Sequence, residues 1–500
     1  MRSSGILMPI FSLPSPYGIG TLGKAAFDFI DFLHTSGQSY WQILPIGPTS
    51  FGDSPYQSFS SFAGNPYFID LDLLVKEGLL LESEVKACDF GDDSGKVNYE
   101  KLYNNRYPLL KLAFSRFKTD DDYNNFTAKN ARWLNDYSLF MALKDAFDGV
   151  SWQEWDAPYK KRESATLLKA QSELADDIAF YNFLQYEFDK QWSALHEYAN
   201  KNDVKIIGDI PIYVALDSAD VWSNPEQFQL DDDYVPKSVA GVPPDVFSED
   251  GQLWGNPLYD WDYMKTTDYS WWKGYLGGAL QRFDVVRIDH FRGFEAYYSI
   301  PYGDKNAKGG KWVKGPDKQL FDAFTKEFGK ELPIIAEDLG VITPAVRKLL
   351  SHTKFPGMKV LQFAFSGECE NSFLPHNIVK NSVVYTGTHD NDTIMSWLKT
   401  STADEVKQAK DYFNYQNDSG FNWAMIKAAM STVADTCIIP MADFLGADSS
   451  ARINEPSTLG GNWSWRIDGS CLNPWLSGII KENTVLYGRA PSPQEECVTK

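Results

Sequence analysis

The sequence predicts an α/β fold, a (β/α)8 TIM barrel with large insertions after strands 2 and 3, and three observations predict it. Eight short, mostly β-favouring runs recur along the chain and are nearly continuous in apolar residues, as parallel strands covered by helices are. Stretches with apolar residues at three- and four-residue spacing lie among them, which is the pattern of amphipathic helices. Charged residues collect at the C-terminal ends of several runs, the end where this fold gathers its functional groups.

In order, the runs cover residues 5–11, 40–46, 204–214, 283–291, 332–339, 359–365, 383–388 and 437–444. Helical patterns at 24–34, 344–352 and 422–434 follow the first run, follow the fifth and precede the eighth. Two connections are longer than a βα unit needs. Residues 47–203 carry helical patterns over 99–117 and 177–198 and predict a mostly helical insertion subdomain. Residues 215–281 include "VAGVPPDVFSEDGQLWGNP", whose prolines and glycines predict an irregular, loop-rich excursion over the barrel mouth. With no repeat or interdomain linker, residues 1–500 read as a single barrel unit.

Composition narrows the function. At 43% hydrophobic and 23% charged residues, the chain can build a large core and is not of a disordered class. No segment approaches the roughly 18 consecutive apolar residues of a membrane helix. A net charge of -20 repels phosphate backbones and anionic lipid, so nucleic acid and membranes are not expected partners. A neutral or cationic substrate is expected instead. The N-terminal "MRSSGILMPIFSLPS" is too short in its apolar part for a signal peptide and predicts a strand. Cys88, Cys369, Cys437, Cys471 and Cys497 are scattered without CxxC or CxxH spacing, which points to reduced thiols in a cytoplasm. His196-Glu197 lacks the second histidine of an HExxH pair, so no zinc site is expected. Asp231, Asp232 and Asp233 lack alternating ligand spacing and predict a solvated loop, not a calcium site.

Acids mark the strand ends. Asp289 closes the fourth run in "VRIDHFRG", Glu337 closes the fifth in "PIIAEDLG", and Asp390 follows the seventh in "YTGTHDND". Asp209 in "IIGDIPIYV" adds a fourth on the third run. A single such acid caps a helix more often than it does chemistry; three around one barrel mouth favour chemistry. Two carboxyl groups facing one pocket suit glycoside chemistry, where one stays ionised and the other protonates the leaving oxygen. Arg287 lies on the same strand face as Asp289, and its fixed charge favours an ionised Asp289. Glu337 must stay protonated, which needs a drier setting or a neighbouring negative charge, and Asp390 is a candidate to supply that charge. His290 and His389 adjoin candidate acids and can donate to sugar hydroxyls. Aromatic faces stack on sugar rings, which singles out Tyr56 in "DSPYQ", Phe247 and Trp254 on the long excursion, and Phe363 on the sixth strand, although any one aromatic is core by default.

These motifs, with "SPYQ", "GDIPIYV" and "GVPPDVFSEDGQLWGNP", resemble those of the amylomaltases, the 4-α-glucanotransferases of glycoside hydrolase family 77. The resemblance runs from residue 5 to the final segment; the tail 491–500 matches nothing assignable. It implies Asp289 as nucleophile, Glu337 as acid/base and Asp390 as the third carboxylate, holding sugar hydroxyls and distorting the ring. It further implies Arg287, His290, His389, Asp209 and Tyr56 as contacts around the cleaved bond, with Gln252 and Trp254 on the acceptor side. The implied reaction is retaining transfer between maltooligosaccharides and α-1,4-glucans, with no cofactor. A hydrolase on the same barrel would use the same three acids, and a non-catalytic sugar-binding barrel would typically have lost one of them. A phosphate-binding barrel would want a glycine-rich loop after a late strand, for which "LGGNWSWR" is the available segment.

Overall fold

The computed structural model describes residues 2–50, 52–244, 248–458 and 460–491. It contains twelve strands: β1 (Ser3–Leu7), β2 (Tyr40–Gln42), β3 (Lys205–Ile210), β4 (Ser238–Val242), β5 (Gln252–Pro257), β6 (Val285–Ile288), β7 (Ala296–Pro301), β8 (Lys311–Lys314), β9 (Ile334–Ala336), β10 (Gly357–Val360), β11 (Ser382–Tyr385) and β12 (Thr436–Pro440). Eight close into a barrel in the order β1-β2-β3-β6-β9-β10-β11-β12, and β12 pairs back onto β1. Every barrel pairing is parallel.

Each predicted run overlaps one barrel strand, several strands begin one or two residues before it, and the paired part is shorter than the run. Prolines stop several ladders because they have no N–H to give: Pro9, Pro45 and Pro211 follow β1, β2 and β3, and Pro440 ends β12. The sixth run passes from β10 into a 3-10 turn at Leu361–Phe363, and the eighth from β12 into a helix at Met441–Leu445. Apolar continuity reports burial, and these turns are buried as deeply as the strands they follow. Gly5 marks a close approach, since a Cβ there would sit 2.5 Å from the Cβ of Tyr40 on β2.

Between β2 and β3 the chain builds three long helices, Tyr99–Arg116, Asp121–Ala146 and Ala175–Lys201, with shorter ones among them. The last turns one apolar face inward through Phe180, Phe183, Leu184, Phe188, Trp192, Leu195 and Ala199, all buried. That face also grips the barrel wall, where Trp192 Nε1 donates to Arg282 O at 3.1 Å and His196 Nε2 meets Asp284 at 2.9 Å.

The stretch after β3 corrects the expectation of irregular chain. It holds β4 and β5, which join β7 and β8 in a four-stranded antiparallel sheet of order β5-β4-β7-β8. The glycines and prolines read as breakers sit where an antiparallel pair tolerates them. Gly251 (φ 66°) and Gly255 (φ 79°) take left-handed backbone at and inside the start of β5, and the register shifts between Val239 and Gly241. Pro243 lies past the end of β4. No helix among the described residues is long and apolar enough to cross a membrane.

Candidate active site

The site begins with one register pair. Asp209 on β3 lies opposite Arg287 on β6, so their side chains share the inner face while Val286 and Ile288 pack outward, fully buried. Arg287 Nη1 donates to both carboxyl oxygens of Asp209, at 2.7 and 2.6 Å. Its Nη2 donates to Asp289 Oδ1 at 2.8 Å, and its Nε reaches the Met358 sulfur at 3.4 Å. Tyr56 completes the chain by donating its hydroxyl to Asp209 Oδ2 at 2.7 Å. Burial alone would lower the Arg287 pKa, but Asp209 and then Asp289 outweigh it and hold the guanidinium charged well above its ordinary range. One guanidinium thus serves two carboxyl groups, and burial raises the pKa of Asp209 against the pull of Arg287.

Backbone hydrogen bonds continue the barrel ladder past the strand ends and fix the acids. Asp289 N–H donates to Ile210 O, Glu337 N–H to Ile288 O, and Phe291 N–H to Glu337 O, each at 3.0 Å. His290 takes left-handed backbone (φ 50°), and its N–H donates to Glu337 Oε2 at 2.8 Å. Leu339 N–H donates to Glu337 Oε1 at 2.6 Å. These donors favour the ionised form, yet the Glu337 carboxyl is pushed up to about 8. Burial is the main cause, with the negative charge of Asp289 next; Arg287 opposes and Asp338 adds. The expectation that Asp390 supplies this charge is therefore corrected: Asp289 leads.

His290 is neutral at physiological pH, its pKa lowered to about 4 chiefly by burial. Its Nε2 is buried with no protein partner, an orphan that costs free energy unless something fills it. Trp254 on β5 meets the His290 ring edge-on at 4.9 Å and 88°, and Trp254 Nε1 donates to Gln252 Oε1 at 3.0 Å.

Across the mouth, Asp390 follows β11 with its side chain 45% exposed. Asn454 Nδ2 donates to its Oδ1 at 2.6 Å, His389 Nε2 lies 3.4 Å from its Oδ2, and Arg452 Nη2 donates to its backbone O at 3.2 Å. The His389 ring stacks on Tyr56 (5.1 Å, 17°), and Trp463 packs beside both. Tyr56 therefore joins the two sides, hydroxyl to Asp209 and ring to His389.

Of the predicted residues, Asp209, Arg287, Asp289, His290, Glu337, Tyr56, His389 and Asp390 are linked by these contacts, with Trp254 and Gln252 attached through His290. Phe363 stands on the 3-10 turn and not on the sixth strand, its ring edge-on to Phe373 at 5.8 Å. Phe247 lies outside the described residues. Asn454 and Trp463 were not anticipated. Trp463 belongs to "LGGNWSWR", where the aromatic was the informative residue and the glycines were not. Asn454 carried no signal, because its partner is 64 positions away.

The family model for glycoside hydrolase family 77, 4-alpha-glucanotransferase, matches residues 8–472. A 4-alpha-glucanotransferase of Clostridium butyricum is 49% identical over 486 residues, covering 96% of this chain and all of that one. One from Thermus thermophilus is 48% identical, covering 95% and 96%. Among solved structures, the amylomaltase of Streptococcus agalactiae in complex with acarbose superposes with a TM-score of 0.96 at 41% identity, covering 98% and 100%. The amylomaltase of Corynebacterium glutamicum shares the fold, with a TM-score of 0.77 at 17% identity over 98% and 75%. With a matched family model spanning most of its length and near-half identity to full-length relatives, the chain belongs to glycoside hydrolase family 77, the 4-alpha-glucanotransferases.

Proposed function

We propose that this enzyme transfers a segment of an α-1,4-glucan to the 4-hydroxyl of glucose or a maltooligosaccharide by retaining double displacement. Asp289 attacks the anomeric carbon and forms a glycosyl ester, while Glu337 gives its proton to the departing 4-oxygen. The acceptor's 4-hydroxyl then attacks that carbon, loses its proton to the Glu337 carboxylate and releases Asp289. The observation that carries this is the pairing of opposite settings, a carboxyl pushed up to about 8 beside one hydrogen-bonded to a buried guanidinium. Asp390 and His389 hold hydroxyls of the reacting ring, and the free Nε2 of His290 takes another.

Transfer in place of hydrolysis requires an acceptor held in line against water at about 55 M, which positioning can supply. Trp254 and Gln252 offer a ring and an amide for that acceptor, and Tyr56 and Asp209 brace the opposite wall. The free state of the four described cysteines supports a reducing, cytoplasmic setting. Incubated with maltotriose alone, the enzyme should yield glucose and a ladder of longer maltooligosaccharides with little net rise in reducing ends. Trp254→Ala should raise the share lost to water. Reducing ends that rise in step with substrate loss, with nothing longer than the trisaccharide, would put the hydrolase in its place.

A further inference from the structure

The loop carrying His389 and Asp390 leaves the barrel at Thr386, just past β11, and re-enters regular structure at Ile394, the first residue of the helix Ile394–Thr400. Both ends are tied to one carboxyl. Thr386 Oγ1 donates to Asp443 Oδ2 at 2.6 Å, and Ile394 N–H donates to Asp443 Oδ1 at 2.8 Å. Asp443 sits in the helix Met441–Leu445 directly after β12, 2% exposed. That helix is fixed in turn, because Asn422 Nδ2 donates to Asp443 O at 2.8 Å.

Both donors to the Asp443 carboxyl are neutral, and burying an acid on such terms is costly. An apolar side chain would fill the space more favourably. What a carboxyl adds is two acceptor oxygens at a fixed spacing, and here each oxygen takes one end of the same loop. The loop has an internal tie, Asn391 Oδ1 accepting from Thr388 N–H at 2.8 Å, and another to the turn after β10, where Gln362 Nε2 donates to Asp392 O at 2.8 Å. Those ties set the loop's shape. Asp443 ties both ends of the loop to the helix that follows β12.

We infer that Asp443 is a positioning residue for glucan transfer, clamping both ends of the 386–394 loop so that Asp390 and His389 meet the sugar at one fixed place. This rests on the proposed use of Asp390 above. Asp443 is buried and tied to both ends of the loop, so its contribution should shrink when Asp390 can no longer act, leaving the share that runs through His389.

A double-mutant cycle tests this, read by acarbose affinity in calorimetry and by kcat/KM on maltotriose. Asp443→Asn keeps the shape but leaves one oxygen to accept where two are needed. It should lower kcat/KM about thirtyfold per folded molecule and weaken acarbose about tenfold in the wild-type background. In an Asp390→Asn background the same change should weaken acarbose only about threefold, the part carried by His389, because coupled residues are not additive. Equal weakening in both backgrounds would overturn the inference and leave Asp443 a general packing residue. An Asp390→Asn protein that transfers at the wild-type rate would overturn the reading of Asp390 itself, and this one with it. Thr386→Val removes one tie at constant shape; should Asp443→Asn fail to fold, it serves in its place, with a loss of about fivefold and the same dependence on Asp390.

Discussion

On the side of the mouth built by β3, β6 and β9, the acids are organised around one buried guanidinium, with Asp209 and Asp289 on Arg287 and Glu337 close enough to feel both charges. On the side built by β11 and β12, Asp390 is held by an amide and an imidazole, and Asp443 by a hydroxyl and a backbone N–H. The first arrangement sets protonation, since a fixed charge in a dry site moves the pKa of its neighbours. The second sets place, each acid held at a fixed position by hydrogen bonds. A transferase by double displacement needs both, because one carboxyl must change protonation twice per turnover while the ring it acts on stays put.

The largest expected effect breaks the charged side at Glu337, the proposed proton donor. Glu337→Gln should lower maltotriose turnover on the order of 100- to 10,000-fold, yet slow formation of the glycosyl ester from an α-glucosyl fluoride far less, since fluoride departs without a proton. Equal losses on both donors would show that Glu337 is not the acid. The same substitution has a stability signature. The folded carboxyl titrates near 8 against an ordinary 4.5, so the native state keeps a proton that the unfolded chain releases between those values. Its contribution is complete below pH 4.5, declines as pH rises and is gone above about 8. Denaturant titrations across that window should flatten in Glu337→Gln.

A smaller effect is expected at the centre of the same network. Arg287→Lys keeps the charge but cannot serve Asp209, Asp289 and Met358 at once. Turnover should fall roughly 100-fold, and stability by about 2 kcal/mol as a buried carboxylate loses part of its partner. Unchanged stability would mean that the guanidinium is only an electrostatic neighbour of the acids.

The smallest effect sharpens the contrast. Asn454→Ala removes the amide on Asp390 and should cost about tenfold in kcat/KM, with the alkaline limb of the pH profile unmoved. Asp390 is not among the leading charges that set Glu337. A shift of that limb would join the two sides into one electrostatic unit.

How much of this was legible follows the same division. The barrel strands were visible because a strand buried on both faces is apolar almost without interruption, and Arg287 and Asp289 stood out for interrupting one. Their partnership was readable because residues two apart on a strand share a face. The neutral side was not, because its partners arrive from far along the chain: Asp443 lies 57 positions from Thr386. The antiparallel sheet was hidden for a related reason. β4 needs β7, which follows the next barrel strand, and without that partner its glycines and prolines look like punctuation. The expectation for Asp390 failed because Asp289 is the leading acid acting on Glu337, a choice that spacing along a chain does not encode once the strands curve around a barrel.

The closure of β1 against β12 has a kinetic consequence. Ser3 to Leu7 find their second partner only at Thr436 to Pro440, and Arg489, buried beyond the last strand, donates to Ser3 O at 2.9 Å. Contacts so distant along the chain form late, after local helices and hairpins. During synthesis β1 can pair with β2 early, but its other edge stays open until β12 has been made. An open apolar edge recruits foreign strands, so a chain stalled before Thr436 carries its aggregation hazard in β1. Chaperone demand for this protein should track how long the first strand waits for the last.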